Sequence, residues 1–466
     1  MADFLFIALP NNLTLCYNSK RRGAKRELAA VCSAIAVFYF SMIQRVKQFS
    51  HNTFASLKVR NYRLYFIGQG ISITGTWMQT IGQSWLVLEL TGSGTALGLV
   101  TALQFLPILF LAPMGGVMAD RFSKRKILFF TQSFAGLLAL ALGLLVATHV
   151  VELWMVFVLA GLLGLNNAID NPTRQSFIFE MVGHNDISNA VTLNSTEVNL
   201  GRIIGPAIAG IIIATIGIAL CFFINAVSYV AVLICLAMMN AEELYVGEAI
   251  KRAKGQVREG FRYVLATPLL RDLLIMLAIV GTFVYEFQVS LALMARYAFH
   301  GDAAAYALLT SAMGLGSVIG GLATAGRRKT NPQAITKMVI ILGIAVILAA
   351  LAPTLWLAAL AMVFVGFASI NFTSLGNSTL QLESAPHMRS RVMALWSVAF
   401  LGSTPIGGPV VGWIGEHVDP RWGLGIGGIA AIVAGVFGMM VMKNHSEQRA
   451  PEDVVSDELS INQTSK

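Results

Sequence analysis

The sequence predicts an all-α membrane protein of twelve transmembrane helices in two parallel six-helix pseudo-repeats. Three observations predict it. Of the 466 residues, 56% are apolar and 12% are charged, about half the charged share of a soluble globular protein. The apolar residues gather in runs of about 20, long enough to cross about 30 Å of hydrocarbon as helix. Four short motifs also recur at offsets of 203 to 206 residues: Gly75-Thr76 at Gly281-Thr282, Gly115-Gly116 at Gly320-Gly321, Asn171-x-Thr173-x-Gln175 at Asn377-x-Thr379-x-Gln381, and Gly205-Pro206 at Gly408-Pro409. Such a composition excludes a soluble enzyme and a disordered chain. The net charge of +9 does not announce a nucleic-acid partner, because the basic residues punctuate apolar runs and form no stripe with interleaved aromatics.

Each run is read as a helix because helix formation satisfies every backbone group internally. The spans are placed at Tyr62 to Leu90, Thr95 to Ala119, Ile127 to Ala147, Leu153 to Arg174, Ser195 to Thr215, Gly217 to Met239, Leu270 to Tyr297, Ala303 to Gly326, Ile335 to Ala352, Leu355 to Thr379, Arg391 to Gly415 and Trp422 to Met442. The expected organisation is an N-terminal extension (1–60), a first bundle (61–240), a polar linker (241–269), a second bundle (270–442) and a tail (443–466). With the segment before Tyr62 inside, 30 of the 33 Lys and Arg residues fall on the inner side; Arg202 lies within a span, and Arg296 and Arg421 fall outside. That bias predicts both termini on the cytoplasmic side. Trp85, Trp154, Trp356, Trp413 and Trp422 then land near outer helix ends, where amphipathic rings prefer to sit.

The first sixty residues fit less well. Leu28 to Ile43, after the basic stretch Lys20 to Arg26, resembles a signal anchor, yet its 16 residues reach only about 24 Å. A thirteenth span would put the termini on opposite sides. Two readings stay open: translation starting at Met42, or a helix lying on the membrane surface. Cys16, Cys32, Cys221 and Cys235 show no metal-type spacing, so Cys221 and Cys235 are expected to pack as small apolar residues.

Polar residues inside the spans mark candidate sites. On the first span Gln69, Ser72, Thr76, Gln79 and Gln83 follow at spacings of three and four and share one helix face. Such a stripe lines a watery cavity or a helix contact, and the cavity is the expectation. Spans three, nine and twelve are almost purely apolar and are expected to be scaffolding. Asp170, Glu197, Arg202 and Glu286 each cost on the order of 3 kcal/mol at the bilayer centre, so each should face protein or water. They are the candidates for proton coupling; a static ion pair, such as Asp170 with Arg202, is the alternative. Glu286 has no basic residue one turn away and is the stronger candidate. Gly316-x-x-x-Gly320 and Gly423-x-Gly425-x-Gly427 have no preceding strand and no following Gly-Lys-Ser/Thr. They are read as helix packing, which excludes an ATP-driven pump. Neither a metal cluster nor a catalytic Ser–His pair emerges, so neither enzyme activity nor a cofactor or metal is expected.

The loop after span two, Gly116-Val-Met-Ala-Asp120-Arg121-Phe-Ser123-Lys124-Arg125, resembles the signature loop of the major facilitator superfamily, with Ser123 where Gly is usual. The resemblance implies a conformational latch built on Gly116, Asp120, Arg121, Lys124 and Arg125. Asp120 would meet the positive end of a helix from the other half, and the basic residues would lie at the headgroups. The second copy has Ala325 at the Asp position and is expected to latch weakly. Gly201-Arg202-Ile-Ile-Gly205-Pro206-Ala-Ile-Ala209-Gly210 resembles the antiporter motif of the same superfamily, a helix-bend motif of Gly201, Gly205, Pro206 and Gly210, which favours export. Asp170-Asn171-Pro172-x-Arg174-Gln175, Asn189-Ala190-x-x-Leu193-Asn194 and Glu259-Gly260-Phe261-Arg262-Tyr263-Val264 resemble the enterobactin-exporter branch.

These resemblances imply a monomeric bacterial inner-membrane carrier that exports a small organic molecule, a siderophore, drug or metabolite, in exchange for protons. Gln69, Ser72, Thr76, Gln79, Gln83, Asn171 and Asn377 are the substrate-cavity candidates. Proton-driven uptake or lipid flipping by the same fold is one alternative, and a non-transporting polytopic sensor or assembly factor is another. Against the last, the linker and the tail are too short to build a core. Val257, Phe261, Val264 and Leu265 are expected to lie on the membrane surface.

Overall fold

The computed structural model describes residues 54–245, 256–324, 332–385 and 388–441. The run Leu28 to Ile43, Cys16, Cys32, Ala325 with the basic residues after it, and the tail after Lys443 lie outside the described residues. Two compact units divide the chain, Met1–Lys58 and Val59–Lys466. The first contributes a 3-10 turn, Ala55–Lys58; the long helices belong to the second.

The helices of the second unit are α1 (Arg60–Thr91), α2 (Gly94–Arg121), α3 (Lys124–Ala147), α4 (Leu153–Gly183), α5 (Asp186–Thr215), α6 (Ile218–Met238), α7 (Gln256–Ala266), α8 (Pro268–Phe283), α9 (Phe287–Leu293), α10 (Ala303–Thr324), α11 (Pro332–Leu351), α12 (Leu355–Glu383), α13 (Arg389–Leu401), α14 (Thr404–His417) and α15 (Pro420–Val441). No strand occurs among the described residues. Local chemistry explains the joints. α1 stops where Gly92 takes φ 64° and returns its N–H to the Leu88 carbonyl, and Ser93 Oγ then accepts from the Ala96 N–H at 3.1 Å to start α2. α4 and α5 follow each other with Gly183 at φ 67°, ψ −168°, a conformation glycine adopts without steric cost.

Eleven segments among the described residues are long and apolar enough to cross a membrane: α2 to α6, α8 with α9, α10 to α12, α13 with α14, and α15. At 32 residues α1 is long enough too. Its buried Gln69, Ser72, Gln79, Gln83 and Ser84 dilute its apolarity, because that surface faces protein instead of lipid. Counting α1, twelve segments of spanning length lie among the described residues, the number expected.

The structure departs from the expected spans in two ways. α4 and α5 extend past Arg174 and before Ser195, well beyond the apolar runs. The seventh and eleventh spans are also not continuous helices. The seventh breaks between Phe283 and Phe287 and ends in a π-helical turn, Met294–Ala298; the eleventh breaks at Gly402-Ser403, with Pro405 opening the next segment.

Glycines set the close packing. Gly68, Gly75 and Gly82, seven residues apart on α1, lie against Cys235, Asn225 with Ser228, and Cys221 of α6. Cys221 and Cys235 are free thiols packed in this seam. The two halves meet where Gly94 and Gly98 of α2 face Gly412 and Gly408 of α14, and where Gly210 of α5 faces Ala304 and Ala307 of α10. These contacts concentrate toward the face that carries the α1–α2 turn. Glu416 strengthens them: its Oε2 accepts from Ser93 Oγ (2.7 Å), Thr95 N (2.9 Å) and Thr95 Oγ1 (2.6 Å) at the N-terminus of α2.

Trp154, Trp356, Trp413 and Trp422 are exposed at helix ends, whereas Trp85 is buried, donating to Glu89 at 2.8 Å beneath Arg296. On α7, Val264 is buried and Glu259 pairs with Arg391 at 2.8 Å, while Phe261 and Leu265 are exposed. The amphipathic face expected to lie wholly on the membrane therefore docks in part against α13.

Candidate functional site

A cavity of about 510 Å³ lies between the halves. The first half contributes Trp77 and Thr80 from α1, Thr101 and Phe105 from α2, and Asn194, Asn199 and Arg202 from α5. The second contributes Tyr285, Glu286 and Gln288 around the break in span seven, Tyr306 and Thr310 from α10, Ser369 and Thr373 from α12, and Trp396, Phe400 and Thr404 around the break in span eleven. Its size and its mix of rings with a few polar groups suit a small organic ligand.

Both helix breaks serve this cavity. Gly281 lies against the backbone of Phe400 and against Ser403, and Gly407 lies against the Thr282 carbonyl, so the two interruptions cross each other. Glu286 sits at that crossing with its carboxylate beside Gly407 and Gly408. It is 2% exposed, and its Oε1 has no hydrogen-bond partner. Around it the rings interlock. Tyr285 meets Phe400 edge-on at 4.4 Å, Trp396 stacks on Phe400 at 5.6 Å, and the Tyr285 hydroxyl contacts Ser369 Oγ at 2.6 Å. Gln288 Nε2 donates to Ser84 Oγ at 3.1 Å, linking the seventh span to α1 across the halves.

A second cavity, about 390 Å³, lies inside the first half. Ser72, Thr76, Gln132, Asn166, Asn171, Arg174 and Tyr229 are among its lining residues. At its wall Asp170, 1% exposed, is fully engaged: Oδ2 pairs with Arg174 Nη2 at 2.7 Å, while Oδ1 accepts from Thr131 Oγ1 (2.7 Å) and Gln132 Nε2 (2.8 Å). Arg174 also donates to Asn171 Oδ1 at 2.9 Å and, more weakly, to Gln69 Oε1 at 3.4 Å. The alternative of a static ion pair holds for Asp170, but its partner is Arg174 and not Arg202. Asp170 and Arg174 stand one turn apart on α4 and satisfy each other, leaving Arg202, on α5, over the Trp77 ring at 5.0 Å.

The other candidate residues divide. Ser72, Thr76 and Asn171 line the second cavity, and neither Gln79 nor Gln83 lines either one. Gln79 Oε1 accepts from Asn225 Nδ2 at 2.7 Å, and Gln83 is buried. The shared face of the α1 stripe straddles the α6 seam, so the contact reading, not the cavity reading, holds for Gln79. Asn377 lies outside both cavities and accepts from Gln381 Nε2 at 2.5 Å. Glu197 is 6% exposed between α5 and Gly70 of α1, and neither of its carboxylate oxygens has a partner.

The helix-bend motif is a contact surface. Gly201 and Gly205 let α5 close onto Ile73, Thr74 and Trp77 of α1, and Pro206 is buried beside them. For Gly116 and Asp120 only the helical backbone is described. Arg121 is exposed, but Lys124 and Arg125 turn into the protein rather than toward headgroups. Lys124 pairs with Glu180 at 2.5 Å, and Arg125 donates to the Leu236 (2.8 Å) and Ala237 (3.0 Å) carbonyls at the end of α6, where carbonyls lack helical partners. Sequence reasoning missed Thr131, Gln132, Tyr285, Gln288 and Glu416. The first two sit on a span read as apolar scaffolding, and the break at Gly402 with Pro405 was the signal for a remodelled eleventh span.

The membrane-length helices among the described residues, with a cavity walled by both halves, are the architecture of a multi-pass membrane transporter, and a match of its sequence places it in the major facilitator superfamily. A sequence profile described as transmembrane secretion effector matches residues 51–463, and the chain belongs to that family. It is 24% identical to the enterobactin exporter EntS of Shigella flexneri over 413 residues, covering 85% of this chain and 95% of that one. It is 25% identical to the multidrug efflux pump Tap of Mycolicibacterium fortuitum, covering 75% and 87%. A shorter match, 30% identical over 178 residues, joins it to the staphyloferrin A transporter of Staphylococcus aureus (strain NCTC 8325 / PS 47), covering 38% of this chain and 45% of that protein. In fold it resembles the nucleoside transporter NupG (TM-score 0.66, 14% identity, 83% of this chain and 99% of that one) and a POT family transporter crystallised with 5-aminolevulinic acid (TM-score 0.67, 12% identity, 82% and 97%). The family and its relatives are transporters, not enzymes.

Proposed function

We propose that the protein exports a small organic molecule across the bacterial cytoplasmic membrane in exchange for protons. A single chain supplies both walls of the cavity and works as a monomer. The observation that carries this reading is Glu286, a buried carboxylate at the crossing of two broken helices and on the wall of the cavity between the halves. A group so placed is exposed to substrate and to the rocking of the halves alike, as coupling requires. Glu197 is the second proton-carrying candidate. Asp170, held by Arg174, Thr131 and Gln132, serves as a fixed structural charge. The bias of basic residues supports an orientation with the α2–α3 turn and both termini in the cytoplasm. In that orientation Glu416 and the Gly94–Gly412 and Gly98–Gly408 contacts close the outer side. Export is supported by the helix-bend motif and by relatives named as an exporter and an efflux pump. Siderophores, drugs and metabolites are the cargo classes in view.

Untargeted mass spectrometry of medium and cells, comparing a deletion strain with its complemented parent under iron starvation and repletion, tests direction and cargo together. A solute lost from the medium and accumulated in cells is the expected result. A chelator in that role names siderophore export, and accumulation of another solute keeps the exporter and removes the siderophore. No solute shifted in that direction overturns export. Proton exchange is read separately, as substrate counterflow driven by a pH gradient in oriented vesicles.

A further inference from the structure

Arg174 of α4 and Arg202 of α5, each on the wall of a cavity, are treated oppositely. Arg174 is neutralised by Asp170 at 2.7 Å and further held by Asn171. Arg202, on the wall of the central cavity, forms no ion pair among the described residues, and its Nε is buried without a partner. A guanidinium out of bulk water without a counter-charge is costly. Stacking on Trp77 at 5.0 Å offsets a part of that and orients the planar fork, but it supplies no anion. Glu286 lies on the same cavity wall without pairing to Arg202, so the cavity holds a positive and a negative group unspent on each other. The same cavity is lined by Tyr285, Phe400 and Trp396, a mutually packed ring cluster that presents flat apolar surface.

We propose that the transported substrate is an aromatic organic anion, its carboxylate-like group gripped by the Arg202 guanidinium and its ring seated against Tyr285, Phe400 and Trp396. This rests on the transporter reading above and adds the charge class of the cargo, which that reading leaves open. A guanidinium meets a carboxylate through two parallel N–H···O bonds, a geometry that an ammonium does not reproduce. The unpartnered Nε is a donor available for such a fork. The Asp170–Arg174 pair makes the second cavity a poor alternative for an anion, since its arginine already has its carboxylate.

The test is a charge series on one skeleton: naphthalene-2-carboxylate, naphthalene-2-carboxamide and 2-naphthylmethylammonium, titrated calorimetrically into the full-length protein in nanodiscs of zwitterionic lipid. The carboxylate is expected to bind about tenfold or more tighter than the other two. Arg202→Gln is expected to erase that preference by bringing the carboxylate to the level of the carboxamide, and an unchanged melting temperature in the disc shows that the variant is folded. Arg202→Lys is expected to restore the preference only in part. Equal binding of the three probes by the wild type, no binding of the carboxylate at millimolar concentration, or a preference that survives Arg202→Gln overturns the proposal. Repeating the titration with phosphatidylglycerol in the disc separates the sources of the anion. Unchanged carboxylate affinity supports a free solute, and displacement by the lipid assigns Arg202 to a headgroup and overturns it. Failure of proton exchange or of export would leave these binding outcomes untouched, so the two readings fail separately.

Discussion

At the scale of single residues, the charges in the spans divide into spent and unspent ones. Asp170 is spent: Arg174, Thr131 and Gln132 satisfy it. Asp170→Asn leaves Arg174 as an uncompensated charge, and breaking such a buried pair costs about 3–5 kcal/mol. A lower melting temperature in detergent is expected, with part of the loss recovered in the double variant Asp170→Asn/Arg174→Gln. A double variant no more stable than the single would show that the pair is not what holds α4. Glu286 is unspent. Glu286→Gln is expected to abolish pH-driven transport in vesicles and to keep substrate binding, and unchanged transport would remove it from the mechanism. The charged residues were visible in the sequence. Their partners were not, because Asp170 meets Thr131 and Gln132 through helix rotations that a linear pattern leaves free.

At the scale of elements, the closed face depends on one helix end. Glu416 of α14 caps the N-terminus of α2, where unpaired N–H groups and the helix dipole favour an acceptor, and it does so across the halves. Glu416→Ala removes three hydrogen bonds that exist only while that face is closed, so the equilibrium shifts toward opening there. Spin labels at Val150→Cys and Pro353→Cys, on turns of opposite halves, are expected to report a longer mean distance in the variant. An unchanged distance distribution would show that the glycine contacts alone hold the face shut. Gly98 and Gly408 make one of those contacts: a Cβ on Gly98 would run into the Gly408 carbonyl. The break in span seven had no proline to announce it, whereas Pro405 marked the one in span eleven.

At the scale of the whole molecule, sidedness follows from where basic residues are tolerated. The two expected on the outer side are both engaged. Arg421 donates to the Ala350 and Ala352 carbonyls at the end of α11, and Arg296 lies over Trp85. Neither exception weakens the bias, since each is held by a helix end or a ring instead of by lipid headgroups. With the native cysteines replaced, Pro353→Cys on the α11–α12 turn is expected to react with a membrane-impermeant maleimide in intact cells. Ser123→Cys on the α2–α3 turn is expected to react only after lysis. The reverse pattern would invert the orientation and put the closed face on the inner side.

The sequence by itself determined that the chain is a bundle of membrane-length helices and where most of those helices lie. A chain in hydrocarbon has only the helix with which to satisfy its backbone, so apolar length alone decides where helices lie. Only the tertiary structure decided what each polar residue faces. Gln79 went to Asn225 in a helix seam, Asn377 fell outside both cavities, Arg202 lost Asp170 to Arg174, and Glu286 came to a crossing of broken helices. Those outcomes depend on the rotation of each helix about its axis and on distances of a few ångströms between helices far apart in sequence, and spacing along one helix carries neither.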